Sequence, residues 1–417
     1  MGAAFGDSSP EDAERSLDEL EALADTAGAD TVDRVVQRRD HPDPATYLGK
    51  GKAREVVEIA TALDADMIIF DDELTPAQGR NLEEMAGVNP LAERGLKIVD
   101  RTGLILDIFG LHARSAEGRL QVDLAQLNYR LPRLRGWGEV LSRLGGVGTS
   151  RGPGETALES ERRAILRRIQ RVKKDLVQLE RTRRVKRKQR NKTGIPVIAL
   201  VGYTNAGKSS LLRQITDSDV LVQDQLFSTL DPTTRRFELA HGRPALMTDT
   251  VGFVRKLPHQ LVQAFRSTLE EVGEATLLLH VVDAGADPNM QIAAVLAVLK
   301  ELEMSEKPSV LALNKSDLLT KQAQADIKDR FPEAVLCSAA TGAGIDRLLE
   351  RLDEELSKLK IEVSLDVPFA RGDLVARVHS LGEVLSETYG EDGTRVVARL
   401  SPELLEQLQP FLTVGEA

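Results

Sequence analysis

The stretch Gly194–Leu212, "GIPVIALVGYTNAGKSSLL", decides how the chain folds. Val197 to Val201 is an unbroken apolar run, too short for a helix and ended by glycine, so it reads as a strand buried on both faces. Gly202, Gly207, Lys208 and Ser209 follow at the spacing GxxxxGK[ST], and Leu211 and Leu212 open the apolar side of a helix. Strand, glycine turn and helix in that order make a phosphate-binding loop. Glycines let backbone N–H groups close on the α and β phosphates, Lys208 reaches the outer ones, and Ser209 offers an oxygen to magnesium. The loop alone leaves adenine and guanine both open.

Three stations downstream decide between them. "ALMTDTVGF" is a strand ending in Asp249, which meets magnesium through water, followed by Gly252, whose amide can sense a γ-phosphate. "VLALNKSD" ends in Asn314, Lys315 and Asp317. A carboxylate there accepts two hydrogen bonds from the ring N–H and exocyclic amine of guanine, a pair that adenine lacks. "VLCSAATG" places Ser338 and Ala339 to buttress the base. Between Ser209 and Asp249 a threonine-rich loop is the switch candidate, with Thr229 as second protein oxygen on magnesium and Thr233 and Thr234 as rivals. A hairpin follows, Arg236 to Ala240 turning at His241 and Gly242 into Ala245 to Met247. Asn205 is a candidate potassium contact, with a loop-stabilising hydrogen bond as the other reading.

Working outward, the 417 residues suggest two to four domains. Residues 1–32 are acid-rich and read as a flexible tail, frayed or weakly helical. Residues 33–115 alternate glycine punctuation, a helix from about Lys52, the short strand Met67 to Phe70, a helix capped by Thr75 with Pro76 in its first turn, and a further strand and helix in "GLKIVDRTGLILDIF". Residues 116–192 read as two long helices forming an antiparallel hairpin, the second with Ile165, Ile169, Val172, Leu176 and Leu179 on one seam. Its tip, Leu141 to Thr156, is glycine-rich and carries Arg143 and Arg151, which can reach phosphate. A P-loop GTPase domain with a mostly parallel sheet then spans 195–360, and a small α/β domain spans 361–417.

Charge is unevenly distributed. The formal net charge is -10, yet Glu161 to Lys192 holds 15 basic and 3 acidic residues, a segment of +12 in a remainder of -22. Arg183, Arg184, Lys186, Arg187, Lys188 and Arg190 lie past the end of the apolar seam, where they suit contact with a polyanion. The one cysteine, Cys337, excludes an intrachain disulfide, and no basic leader or membrane-length apolar run is expected, which points to the cytoplasm.

The chain resembles the HflX family of GTPases over about residues 45 to 365. The likeness rests on "TYLGKGK", "FDDELTPAQGRNLE", "DRTGLILDIF", "LPRLRGWG", "LSRLGGVGTSRGPGE", "GYTNAGKSSLL", "LFSTLDPTTRR", "DTVGFVRKLPHQLVQAFRSTLEE" and "NKSD". The resemblance implies that Gly202, Tyr203, Thr204, Asn205, Ala206, Gly207, Lys208 and Ser209 bind phosphates. It makes Phe227, Ser228, Thr229, Leu230 and Asp231 the first switch, and Asp249, Thr250, Val251 and Gly252 the second. Asn314, Lys315, Ser316 and Asp317, with Ser338, Ala339 and Ala340, would hold guanine, and Ser209 and Thr229 would ligate Mg2+. It also implies binding to the large ribosomal subunit and its RNA and splitting or rescue of stalled ribosomes; partial ribosome association in the cytoplasm and a monomer when free are expected. Phe253 stands where many GTPases place a water-orienting glutamine, so no catalytic residue is assigned and turnover is expected to be slow alone and ribosome-stimulated. The competing reading is a GTP-dependent RNA-binding factor in large-subunit assembly.

Overall fold

The computed structural model describes residues 1–5, 9–87, 95–134, 153–191, 194–216, 226–227, 229, 232–256, 258, 261 and 271–413. The chain is α/β throughout and forms two compact units, Met1–Leu179 with Arg255–Phe265, and Glu180–Val254 with Arg266–Ala417.

In the second unit the expected strand Val197–Gly202 is central and wholly buried. The sheet runs in the order Val335–Leu336, Ser309–Asn314, Leu277–Asp283, Val197–Gly202, Pro244–Asp249, Thr233–Glu238. Every pairing is parallel except the last, which is antiparallel. Parallel strands need both faces covered, and this accounts for the continuous apolar runs in "VIALV" and "LLLHVV". The carboxyl ends of four strands therefore carry Gly202, Asp249, Asp283 and Asn314 to one edge. The hairpin begins three residues earlier than expected, with Thr233 already opposite Asp249 and Thr234 opposite Thr248. Helices such as Ile345–Lys358 cover the sheet with Leu348, Leu352 and Leu356, one helical turn apart on a single face.

Residues beyond Ile361 form an antiparallel sheet in the order Glu383–Tyr389, Gly393–Leu400, Ile361–Pro368, Leu412–Thr413. Val396, Ala398 and Leu400 alternate inward against Leu374, Val378, Leu404 and Leu408 of its helices, which gives this region a core of its own.

The first unit corrects one expectation. Residues 1–32 were expected as a flexible acidic tail, yet Gly2–Phe5 pairs in parallel with Val36–Arg39, and Pro10–Thr26 is a helix capped by the Ser9 side chain. Ala13, Ser16, Leu17, Leu20, Leu23 and Ala24 are buried, a three-four repeat that forms an inward stripe while most of the acids lie outside it. Composition concealed periodicity there. Elsewhere the local signals agree: Thr75 and Gln78 form a reciprocal capping box before Pro76–Met85, and Asp100 caps Arg101–His112. Ala116–Arg133 and the long helix Pro153–Asn191 meet through Leu127, Ile165 and Ile169. Among the described residues no helix is long and apolar enough to cross a membrane.

Candidate nucleotide site

The site forms where strands end. Gly202 can only be glycine, because a Cβ would fall on the carbonyl oxygen of Val281 in the neighbouring strand. At Gly207 the backbone is left-handed (φ +92°) and a Cβ would fall on Asn314 Nδ2. Within this tight loop Lys208 is buried and donates from Nζ to the carbonyl oxygens of Tyr203 at 2.9 Å and Gly202 at 3.2 Å. Those bonds aim the ammonium across the loop mouth. Burial pushes the Lys208 pKa down to about 8, opposed by the charge of Asp249. The Asp249 carboxyl is pushed up by its own burial, against the pull of Lys208, Ser209, Thr229 and Thr250.

Three side-chain oxygens converge beside the lysine. Ser209 Oγ lies 2.6 Å from Asp249 Oδ2 and 2.8 Å from Thr229 Oγ1, and Thr229 Oγ1 lies 2.9 Å from Asp249 Oδ2. Two hydroxyls and a carboxylate form an all-oxygen set that fits a small hard cation such as Mg2+. Thr233 and Thr234 are held elsewhere, since both belong to the hairpin ladder and Thr234 Oγ1 pairs with Thr248 Oγ1 at 2.9 Å.

The segment Asp249–Phe253, expected to form the second switch, runs along the loop Gly202–Ser209. Phe253 N–H donates to Gly202 O at 3.1 Å, and Thr204 N–H donates to Phe253 O at 2.7 Å. The Phe253 ring is 1 % exposed, so it belongs to the core and offers water no hydrogen bond. A Cβ on Gly252 would lie 3.0 Å from Lys208 Nζ and 2.8 Å from Thr204 Cγ2, so glycine is required beside this lysine.

Where the sequence places the base, Asn314 is a strut. Its Nδ2 donates to Ala206 O at 2.9 Å and its Oδ1 accepts from Ala339 N–H at 2.9 Å, joining the phosphate loop to the segment after the last strand. Lys315 takes a left-handed backbone (φ 63°) and pairs with Asp283 at 2.8 Å. Ser338 Oγ donates to Asp317 Oδ1, and Ser316 N–H donates to Cys337 O. Burial pushes the Cys337 thiol up to about 12.

The remaining expected residues fall into three groups. Tyr203, Thr204, Ala206, Phe227, Thr250, Val251, Ser316 and Ala339 are buried around the loop, whereas Asn205 (φ 57°) and Ala340 are exposed. Ser228, Leu230, Asp231, Arg143 and Arg151 lie outside the described residues. Arg183 is partly exposed on the helix Pro153–Asn191; Arg184, Lys186, Arg187, Lys188 and Arg190 continue that helix, with side chains outside the described ones. Within the first unit, Lys256 pairs with Asp71 and Asp72, a contact between residues far apart in sequence that the sequence reading did not foresee.

Comparison with known proteins covers most of the chain. Residues 14–110 match the family described as "GTP-binding GTPase N-terminal", residues 112–190 "GTP-binding GTPase Middle Region", and residues 197–315 "50S ribosome-binding GTPase". GTPase HflX of Caldanaerobacter subterraneus is 47% identical over 406 residues, covering 97% of this chain and 92% of the relative. GTPase HflX of Escherichia coli K12 is 44% identical over 383 residues, covering 91% and 88%. Among solved structures, a GTP-binding protein of Sulfolobus solfataricus in complex with GDP is similar at 23% identity and a TM-score of 0.43, covering 86% of this chain and 100% of that one.

Proposed function

The chain belongs to the HflX family of GTPases, and from that premise we propose that its GTP cycle controls binding to the large ribosomal subunit and the splitting or rescue of stalled ribosomes. Hydrolysis of GTP to GDP and phosphate is the activity of the family. The observation that carries the assignment of residues is the Asn314 strut, because one side chain ties the phosphate loop to the segments bearing Asp317 and Ser338. A nucleotide spanning both ends would have its phosphates at Gly202–Ser209 and its guanine at Asp317.

Lys208 would bind the outer phosphates, and Gly252 N–H would meet the γ-phosphate. Ser209 and Thr229 would hold magnesium directly, with Asp249 behind a water. The metal, when bound, neutralises charge on the β and γ oxygens. Phe253 offers the attacking water no hydrogen bond, so the active arrangement would come from a remodelled switch, a partner or backbone groups, in keeping with slow turnover alone and stimulation by the ribosome. For Asn205, which adopts a left-handed backbone, two roles compete, a potassium contact and a loop-stabilising hydrogen bond.

Support for the ribosome comes from the family description that matches residues 197–315 and from the +12 segment. Six phosphate contacts would give binding a steep salt dependence. Sedimentation of mature ribosomes with the protein and a nonhydrolysable GTP analogue tests the proposal. Conversion to subunits is expected; retention on immature large subunits alone would replace it with the assembly reading. Changing Arg183, Arg184, Lys186, Arg187, Lys188 and Arg190 to glutamine should lower ribosome affinity and flatten its dependence on potassium chloride. Parallel salt curves with a lowered melting point would place these charges in the protein's own stability.

A further inference from the structure

Asp283 ends the strand Leu277–Asp283 directly opposite Asn314, the last residue of Ser309–Asn314. Its backbone is fixed on both sides. Asp283 N–H donates to Oε1 of the buried Gln291 at 3.0 Å, and Ala284 N–H donates to Asn314 O at 2.9 Å. The carboxylate is fixed as well. Oδ1 accepts from Gly285 N–H at 2.8 Å, the turn an aspartate makes with the backbone two residues on, and this leaves Oδ2 for Lys315 Nζ at 2.8 Å.

Lys315 is also held at its other end. It follows Asn314, whose side chain bonds Ala206 and Ala339, and its backbone is left-handed at φ 63°. A lysine carries a flexible four-carbon stem, and ordering that stem when a ligand arrives costs entropy. Here the stem is tied at Cα beside the strut and at Nζ by an acid on the neighbouring strand. All of these residues belong to one compact unit, Glu180–Val254 with Arg266–Ala417. Two residues beyond Lys315 stands Asp317, the acid that reads guanine in the site proposed above.

From this we infer that Asp283 is a positioning residue for the nucleotide base: it holds Lys315 Nζ so that the methylenes of Lys315 lie against a purine face. The inference rests on the nucleotide site proposed above and adds to it a residue outside the nucleotide motifs. Long cationic side chains lay their apolar stems on apolar surface while the charged head stays solvated or paired. A purine face is such a surface, and guanine and hypoxanthine share it while their edges differ. Asp283 would therefore set how tightly a purine nucleotide is held, and Asp317 which one. The charge of Asp283 acts the other way, since a carboxylate repels an anionic nucleotide and its removal alone would tighten binding. Positioning predicts the opposite sign.

The test measures dissociation constants of full-length protein for GDP, inosine diphosphate and a nonhydrolysable GTP analogue, with GTP turnover and thermal melting alongside. Asp283→Asn keeps an oxygen for Gly285 N–H and removes the charge that holds Lys315. It should weaken all three nucleotides by one common factor, about threefold to fivefold for a partly exposed pair. KM for GTP should rise by that factor with kcat unchanged. Lys315→Met keeps an unbranched stem and removes the ammonium; it should weaken binding at least as much, and in that background Asp283→Asn should cost nothing further. Unchanged or tighter binding in Asp283→Asn would overturn the inference. So would a changed ratio of GDP to inosine diphosphate, or a full loss that persists in the Lys315→Met background, because Asp283 would then act on the nucleotide or the fold without Lys315. A wild type that binds none of the three, or an Asp317→Asn variant that keeps the wild-type preference for GTP, would instead overturn the site on which the inference rests.

Discussion

Two regions of this GTPase bury polar groups, and they do so for different reasons. In the nucleotide domain Lys208, Ser209, Asp249 and Asn314 are buried together at the carboxyl ends of parallel strands. Their mutual bonds leave the lysine aimed across a loop and three oxygens gathered around one point. In the N-terminal unit Arg101, at 1 % exposure, pairs with Asp71 at 2.7 Å and Glu19 at 2.6 Å. Asp100 accepts from Tyr129, Arg133, Gly103 and Leu74. There the partners come from helices and strands far apart in sequence, and they join those elements to one another. Burial of charge alone does not mark a site; convergence at strand ends, next to a glycine turn, does.

The comparison breaks most forcefully at Arg101. Arg101→Leu leaves Glu19 and Asp71 without their shared cation, and breaking a buried ion pair costs about 3–5 kcal/mol. Hydrogen exchange of Arg101–His112 should accelerate accordingly, while GDP affinity under native conditions stays near wild type. A change below about 1 kcal/mol would show that Lys256 and Ser16 satisfy Asp71 by themselves, and that the cluster stabilises less than its geometry indicates.

A smaller effect, confined to the other region, is expected at the base. Asp317→Asn removes a charged acceptor of two hydrogen bonds and should weaken GTP by roughly 2 to 4 kcal/mol, about 30-fold to 1000-fold, relative to xanthosine triphosphate. Unfolding should be little changed, because the partner of Asp317 is the Ser338 hydroxyl, which an amide oxygen can still accept from. Competitive titration of the two nucleotides checks it, and an unaltered GTP affinity would remove Asp317 from the base site.

What the sequence made legible follows from the same contrast. The nucleotide domain was readable because its strands are continuous apolar runs and its polar residues are local, each station lying within a few residues of the strand that presents it. Caps were readable for that reason too, Thr75 and Pro76 among them. The first 32 residues were misread because acids dominate their composition, although Leu17, Leu20 and Leu23 carry the helical period. Arg101 with Glu19, separated by 82 positions, gave no local sign at all. Lys256 with Asp71, 185 positions apart, lies still further from anything a motif can report.

The finest test concerns two threonines that spacing did not separate. Thr229 Oγ1 lies 2.9 Å from Asp249 Oδ2 and 2.8 Å from Ser209 Oγ, whereas Thr234 Oγ1 bonds Thr248 Oγ1 at 2.9 Å within the hairpin. If Thr229 ligates magnesium in the GTP state, Thr229→Ala should weaken a GTP analogue about tenfold in saturating Mg2+ and leave GDP nearly unchanged, since removing one oxygen from a metal's immediate surroundings costs on that order. Thr234→Ala should do the opposite. It leaves the fully buried Thr248 hydroxyl without its partner, which costs about 1 kcal/mol of stability, and it leaves magnesium-dependent binding alone. Analogue titrations across a magnesium series, paired with thermal melting of both variants, separate the two. A magnesium defect in Thr234→Ala with none in Thr229→Ala would transfer the ligand role to the hairpin, and the oxygen cluster around Asp249 would then belong with the Arg101 network as a means of holding the fold.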